Sequence, residues 1–315
     1  MLSSDVRSFT DPDAYAAAVR QSAVQLTVTG RGYFTAQIIR IDLQRLWMQR
    51  LSDSLPRIAH TDSLGGRVVI SFRTQPEPRL SWRGADLLPT DIIRHRVSGS
   101  SYQHSSGATG IGAMSLSLAD MASVGPAIAG CDLMPPRDAL IVTAQPDAMA
   151  KLQRLHAAAG HLAETAPEII AHPEAARGLE QSLIEAMVGC LTTSGSVEER
   201  SAQRRHSLIM WRFHRLIEEQ LDRPLYVPEI CRAIRVSERT LRICCQEQLG
   251  RSPKQYLLAR RMHLARQDLS RAVPDGTTVT EVALRYGFWQ LGRFAGVYQG
   301  SFGETPSATL ARLPE

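Results

Sequence analysis

Two patterns of hydrophobic and polar residues divide the chain. Between residue 22 and about residue 118, short runs with alternating or β-branched residues are separated by turn residues, as in AVQLTVTG, GRVVISF and TGIGAMSLSL. This alternation predicts β-strands, and so many short strands in under about 120 residues favour an antiparallel barrel or sandwich. From Pro146 to residue 191 the runs are rich in Ala and Leu at helical spacing. They predict two helices that either cover the barrel or form a dimer seam.

A polar segment without apolar periodicity follows these helices. TTSGSVEERSAQ, residues 192 to 203, has the composition of a linker between domains. We therefore predict a regulatory domain at 1–191, a linker at 192–204 and a C-terminal domain at 205–315. The predicted regulatory domain is β-rich to about residue 118 and helical from about 146 to 191.

The C-terminal domain contains an internal repeat of helical units. Five positions recur 52 residues later with the same apolar character: Val227, Ile230, Cys231, Ile234 and Val236 match Val279, Val282, Ala283, Tyr286 and Phe288. After one inserted residue, LGRSP at 249–253 matches FGETP at 302–306. Such a register is hard to obtain by chance.

Each repeat unit predicts a short helix, a tight turn and a second helix. The first unit turns at Arg235 and Val236 with Ser237 as the cap of its second helix, and the second unit turns at Gly287. An amphipathic helix over 253–271, about 28 Å long, joins the units. That length is close to one turn of DNA, about 34 Å, so both second helices can enter the major groove from one side.

The charge distribution supports a polyanionic partner for the C-terminal domain. From Arg204 to the end there are 18 Lys and Arg against 11 Asp and Glu, a net of +7, whereas residues 1 to 203 carry a net of −2. The hydrophobic fraction of 43% excludes a disordered chain. No apolar stretch approaches the roughly 18 residues of a membrane span, and the start lacks the layout of a secretory signal, so we expect a cytoplasmic protein.

The last hundred or so residues resemble the DNA-binding domain of the AraC/XylS regulator family. The motifs are SERTLRICCQEQLGRSPKQYLLARRMHLARQDL and VTEVALRYGFWQLGRFAGVYQGSFGETPSATL, in which the YGF turn, GRF and FGETPS stand in the family's order and spacing. The segments DPDAYAAAVR through SDSLPRI and WRGADLLPTDII are similar to regulatory domains of such proteins. The resemblance implies promoter binding, activation through RNA polymerase, and a cupin-like N-terminal barrel followed by helices that often form a homodimer.

The expected fold is therefore α+β: an N-terminal antiparallel β-barrel, cupin-like, with trailing helices, followed by an all-α domain with two helix-turn-helix units joined by a long helix. Within the second helix of each unit, the positions left outside the apolar stripe are the candidates for DNA contact. Ser252 and Thr305, each before a helix-opening proline, are candidates for phosphate contact, as is Arg251. The predicted DNA-binding residues are Arg239, Thr240, Arg242, Ile243, Gln246, Trp289, Gln290, Leu291, Arg293, Ser252 and Thr305. Arg239 and Arg242 are the candidates for base reading.

The sequence offers little support for catalysis. His95 and His104 are nine residues apart with no His-x-His motif, and five cysteines without a CxxC pair are expected to be reduced and mostly buried. We therefore expect no catalytic residues, no metal site and no cofactor. Six large apolar residues either line an effector cavity or fill an ordinary core: Phe34, Ile38, Leu46, Trp47, Ile70 and Trp82.

The predicted function is a sequence-specific DNA-binding transcriptional regulator, an activator rather than an enzyme. Its expected partners are double-stranded promoter DNA, RNA polymerase and a small organic effector of unknown identity bound in the N-terminal domain. Two alternatives remain: a cupin-type metalloenzyme tethered to DNA, and a DNA-binding protein that responds to no ligand.

Overall fold

The computed structural model describes residues 2–134, 140–192, 195–197, 201–220, 223–272 and 276–312. Its N-terminal part is built of antiparallel strands. They are β1 (Ser3–Phe9), β2 (Ser22–Val28), β3 (Ala36–Asp42), β4 (Trp47–Asp53), β5 (Arg57–Leu64), β6 (Arg67–Arg73), β7 (Leu80–Trp82), β8 (Ala85–Asp86), β9 (Asp91–Arg94), β10 (Ser98–Ser105), β11 (Thr109–Ser117), β12 (Leu140–Thr143) and β13 (Gly195–Val197).

The strands form two sheets. The larger has the order β1-β3-β4-β11-β6-β9-β12-β13, and the smaller has the order β2-β5-β10-β7-β8. The sheets face each other across a small cavity lined by Val24, Leu26 and Ala59 from the smaller sheet and by Leu51 and Ile111 from the larger. The predicted fold class is confirmed, although the strands pack as two sheets and do not close into one barrel.

The outer face of the larger sheet is covered by α2 (Leu118–Val124), α3 (Pro146–Thr165), α4 (Pro167–Ala171) and α5 (Pro173–Thr192), with a π-helical turn at Gly125–Ala129. Helix α1 (Pro12–Ala18) packs elsewhere, where Tyr15 shares a core with Leu26 of β2 and Ile38 of β3. On β11, Met114 and Leu116 point to the outer face of the larger sheet and share a core with Leu152 of α3 and Leu183 of α5. The trailing helices therefore cover the sheet, which was one of the two predicted alternatives.

The predicted linker region holds more regular structure than its composition suggests. Strand β13 lies within it and pairs with β12, and the first helix of the C-terminal part begins at Ser201. Residues 193–194 and 198–200 of the predicted linker lie outside the described residues. The division at 191, 204 and 205 stays a prediction.

The C-terminal part is helical, as predicted. Its helices are α6 (Ser201–Glu218), α7 (Val227–Ile234), α8 (Glu238–Leu249), α9 (Pro253–Arg271), α10 (Val279–Arg285), α11 (Leu291–Phe302) and α12 (Pro306–Leu310). The long helix α9 supplies Tyr256 and Leu257 to one apolar core and Met262, Ala265 and Leu269 to a second. It therefore joins two separately cored units.

The smaller sheet packs against the C-terminal part with the face that does not line the cavity. Ile58 of β5 and Tyr102 of β10 belong to the same core as Met210 and Phe213 of α6 and Leu249 of α8. Strand β5 therefore lies between the cavity and the C-terminal helices, because alternate residues of a strand point to opposite faces. Within the described residues, no helix is long and apolar enough to cross a membrane.

Candidate nucleic-acid interface

The first helix-turn-helix unit is α7 and α8, as predicted. Arg235 ends α7 in the left-handed conformation with φ 56°, which makes the corner tight. The Ser237 hydroxyl accepts a hydrogen bond from the Thr240 backbone N–H at 3.1 Å and so caps α8. Leu241 and Cys244 are fully buried. The apolar stripe thus anchors α8 and fixes which of its faces meets solvent.

The exposed face of α8 carries the predicted DNA-contact residues. Arg239, Arg242, Ile243 and Gln246 are exposed, whereas Thr240 is half-buried. The Thr240 side chain is 2.8 Å from the Ser237 hydroxyl, so this residue also supports the cap. The structure therefore places all five on or beside one accessible surface, and their contact with DNA stays a prediction.

The second unit is α10 and α11. Gly287 has φ 77°, a conformation that glycine adopts without strain, and it forms the corner. Phe294 and Tyr298 anchor α11 in the second core. Trp289 is 76% accessible. The four residues predicted to meet DNA here are all exposed: Trp289, Gln290, Leu291 and Arg293.

Ser252 and Thr305 cap helices. The Ser252 hydroxyl accepts from the Gln255 backbone N–H at 3.3 Å, and the Thr305 hydroxyl accepts from the Ala308 backbone N–H at 3.2 Å. These side chains fix the first turns of α9 and α12. Their predicted phosphate contacts remain predictions.

The exposed arginines on α8 and α11 differ from two ion-paired arginines elsewhere in the C-terminal part. Arg215 and Arg285 form ion pairs with Glu219 and Asp268, each at 2.8 Å. Within the described residues, no carboxylate pairs with Arg239, Arg242 or Arg293. Their guanidinium groups are therefore available to an external anion such as a phosphate, or to a guanine edge.

Comparison with known proteins points to the same part of the chain. A family model described as a helix-turn-helix domain matches residues 230–312. A probable thc operon regulatory protein of Rhodococcus erythropolis is 43% identical over 98 residues, which are 31% of this chain and 30% of that protein. XylDLEGF operon transcriptional activator 2 of Pseudomonas putida is 37% identical over 95 residues, 30% of this chain and 60% of that protein.

The C-terminal domain is therefore a helix-turn-helix domain of the AraC/XylS type. The aligned part spans less than two thirds of either relative, so the match concerns the helix-turn-helix domain. A solved structure of the AraC-like transcriptional activator CuxR is 12% identical, covers 84% of this chain and 96% of its own, and has a TM-score of 0.41.

The contacts between the N-terminal part and this AraC/XylS-type domain were not predicted. Arg251, expected to meet phosphate, instead donates from Nη2 to the Thr29 carbonyl at 2.8 Å. At the other end of α9, Arg266 donates to Asp11 and His263 contacts Asp13, each at 2.9 Å. These contacts join residues more than 200 positions apart, which no local sequence pattern indicates.

A cluster of titratable groups lies in the same interface. The imidazole rings of His60 on β5 and His214 on α6 stack with their centres 3.4 Å apart, and Asp62 Oδ2 lies 3.6 Å from His60 Nδ1. Burial lowers the pKa of His60 to about 3 and that of His214 to about 2, and the Arg260 charge acts in the same direction. Both rings are therefore neutral at pH 7.

The two histidines considered from the sequence do not belong to this cluster. His95 bonds the Ser71 hydroxyl at 2.7 Å beside the cavity, and His104 lies against Gly250 of α8. All five cysteines are free and four of them are buried, and their reduced state stays a prediction. Among the described residues, His60, Asp62 and His214 form a group of potential metal ligands: one nitrogen or oxygen atom of each lies within 4.8 Å of the other two.

The cavity between the sheets measures about 100 Å³. Its wall combines apolar side chains with the polar groups of Arg57, Gln49 and Gln103. None of the six large apolar residues that were expected either to line an effector cavity or to fill a core contributes to it. Ile38, Leu46 and Ile70 are buried instead, because their strand positions point into cores.

Proposed function

We propose that this chain is a sequence-specific DNA-binding transcriptional regulator without catalytic activity, acting on promoter DNA in the cytoplasm. The observation that carries the proposal is the duplicated helix-turn-helix, with the unpaired arginines Arg239, Arg242 and Arg293 on its two exposed helices. Arginine reads guanine through two hydrogen bonds and also meets phosphate. The operon regulators that match this domain support the proposal.

The two units should contact DNA differently. Helix α8 presents Arg239 and Arg242, the side chains best suited to base edges. Helix α11 has Gly292 and Gly296 one turn apart, and a Cβ at either would meet open space. A helix face without side chains allows the DNA backbone to approach closely, so we assign α11 mainly a positioning role through Arg293 and Trp289.

Selection of duplexes from a random library by the full chain tests this proposal. We expect one strongly enriched segment, read by α8, and a weakly enriched segment about 10 base pairs away at α11, because α9 holds the units close to one helical turn from each other. The double substitution of Arg239 and Arg242 by alanine should remove enrichment in one segment and retain it in the other. Absence of any enriched sequence would overturn the proposal.

We further propose that the cavity between the sheets holds a small organic effector. Strand β5 supports this, because Ala59 and Thr61 line the cavity while Ile58 and His60 on its other face contact the C-terminal helices. A ligand that moves β5 would therefore move the contact with α6.

The effector proposal can be tested with a panel of small organic acids and sugars, screened by thermal unfolding. Ala113 lines the cavity, and Ala113→Leu fills part of it. We expect at least one compound to raise the unfolding temperature of the wild type and to have no effect on A113L. Equal shifts in both proteins would place the ligand elsewhere, and no shift with any compound would favour a regulator that responds to no ligand.

We also propose that the chain, bound to DNA as a monomer or as a homodimer, activates transcription through RNA polymerase. The Pseudomonas putida relatives are described as transcriptional activators, which supports this direction of control. A reporter fused to the upstream region should fall in expression when the chain is deleted, and a rise would instead indicate repression. Sedimentation of the chain on a duplex with one site measures how many copies bind.

A further inference from the structure

The histidine cluster at the domain interface has the spacing of a ligand set. On strand β5, His60 and Asp62 are two residues apart and therefore point to the same face. On helix α6, His214 and Glu218 are four residues apart and share a face for the same reason. The two pairs meet because β5 packs against α6.

Several buried polar atoms at this interface have no hydrogen-bond partner. They include both ring nitrogens of His60, Nδ1 of His214 and Oε1 of Gln25. As whole residues, His60 is 2% exposed and His214 6%. Buried polar groups normally find partners, since leaving one unpaired destabilises the folded state. A concentration of such atoms around two histidines therefore points to a ligand that bonds them.

We propose that His60, Asp62 and His214 bind one divalent transition-metal ion, which fastens the smaller sheet of the N-terminal domain to α6 of the DNA-binding domain. Two imidazoles and a carboxylate are donors that Zn²⁺ accepts, with bonds of about 2.0–2.2 Å. The neutral state of both rings is the state that binds metal.

The distances are compatible with such an ion after small side-chain movements. The three ligand atoms lie within 4.8 Å of one another, whereas ligands of one tetrahedral zinc are separated by about 3.3 Å. The stacked rings, whose planes differ by 23°, have to tilt relative to each other so that one nitrogen of each points at a common ion. Glu218 also faces the cluster but is bonded to Arg260 and, at 2.7 Å, to Gln25, so a water is the simplest fourth ligand.

The charges around the cluster limit its affinity. Arg260 carries a positive charge beside both histidines, and its ion pair with Glu218 offsets that charge. Asp62 is the remaining anion, and its pKa is raised by burial and by Glu218. Asp62 is therefore the one anionic ligand of the proposed site.

The consequence for the protein is a metal-dependent connection between its two parts. His60 and Asp62 belong to the strand that lines the effector cavity, and His214 belongs to the helix that packs on α8, where Cys245 contacts Met210 of α6. An ion that holds β5 to α6 reduces their relative movement. Metal binding itself does not depend on the proposed function, whereas an effect of the metal on DNA affinity rests on it.

The first test is metal binding by the full chain after chelator treatment, with Zn²⁺ in competition with a chromophoric chelator. We expect one Zn²⁺ per chain and a higher unfolding temperature with the metal. His60→Gln and His214→Gln should each weaken binding by at least about 100-fold, and Asp62→Asn by about 10- to 100-fold. The exposed His172 is the matched control, and His172→Ala should bind zinc as the wild type does.

The half-exposed Asp62 keeps the test decisive if a buried histidine variant fails to fold, because D62N removes a ligand with little loss of packing. Unchanged zinc affinity in D62N and H214Q, or less than one zinc per chain, would overturn the proposal. Co²⁺ provides an independent check: its visible absorption should report a four-coordinate site in the wild type and lose intensity in D62N.

The regulatory consequence is measured separately as DNA affinity with and without Zn²⁺. We expect a several-fold change in the wild type and none in H214Q. Zinc binding without DNA binding would refute the proposed function and leave the metal site standing. DNA binding without zinc binding would refute the metal site and leave the proposed function standing.

Discussion

Arg239→Ala should remove discrimination at one base position of the operator. The side chain is exposed on the first turn of α8, and within the described residues it has no carboxylate partner. Its removal therefore breaks no ion pair, and the loss should fall on binding rather than on folding. A bidentate arginine–guanine contact contributes about 1–3 kcal/mol to discrimination, which corresponds to about 5- to 150-fold in affinity.

The assay is fluorescence anisotropy with the selected operator and with duplexes that carry single-base changes. The wild type should lose about 5- to 150-fold when the contacted guanine is changed, and R239A should bind both duplexes alike. Arg177→Ala is the charge-matched control, because Arg177 is an exposed arginine on α5 that pairs with Glu174. It should leave discrimination unchanged.

The reasoning would be refuted by equal losses of R239A on the operator and on scrambled DNA. That result is the signature of a phosphate contact, which lowers affinity for every sequence and reduces the salt dependence by about one charge.

Three further substitutions test the structure. Ser237→Ala removes the hydroxyl that accepts from the Thr240 N–H, so the free energy of unfolding should fall by about 1 kcal/mol in urea titrations. Ser237→Asn is the control and should leave the free energy of unfolding unchanged, because asparagine also caps helices. Arg251→Ala removes the bond to the Thr29 carbonyl, so protease cleavage between the domains should become faster, whereas a loss of DNA affinity alone would restore the phosphate assignment. Burial lowers the pKa of His156 to about 3, so the folded state resists protonation and stability should fall as the pH drops from about 6.5 towards 3. His156→Leu should reduce that slope by up to about 1.4 kcal/mol per pH unit, and an unchanged slope would contradict the assignment.

The helix-turn-helix units were predictable because their signals are local. Ser237 as a cap, Gly287 at a corner and the apolar spacing of α8 act within a few residues, and each has the predicted role in the structure. The bounds of α9, Pro253–Arg271, agree with the predicted helix for the same reason.

The interface and the cavity depend on contacts between distant residues, so the sequence pattern does not reveal them. Strand β5, RIAHTDSL, was not predicted because it lacks a regular alternation of polar and apolar residues. Both of its faces carry polar and apolar side chains, since one face lines the cavity and the other packs against α6. His60 and His214 are 154 positions apart and become neighbours only through the packing of the two domains. Two sequence patterns could have indicated the histidine cluster: a His and an Asp two residues apart in a strand, and a His and a Glu four residues apart in a helix.

The measurement that tests the central claim most directly is binding of the full chain to DNA from its own upstream region and to a scrambled duplex of equal length, by anisotropy across a salt series. A sequence-specific regulator should prefer the upstream DNA by about 1,000-fold or more, and the preference should persist as salt rises. Two equal curves that fall steeply with salt would show only a basic surface and would contradict the account.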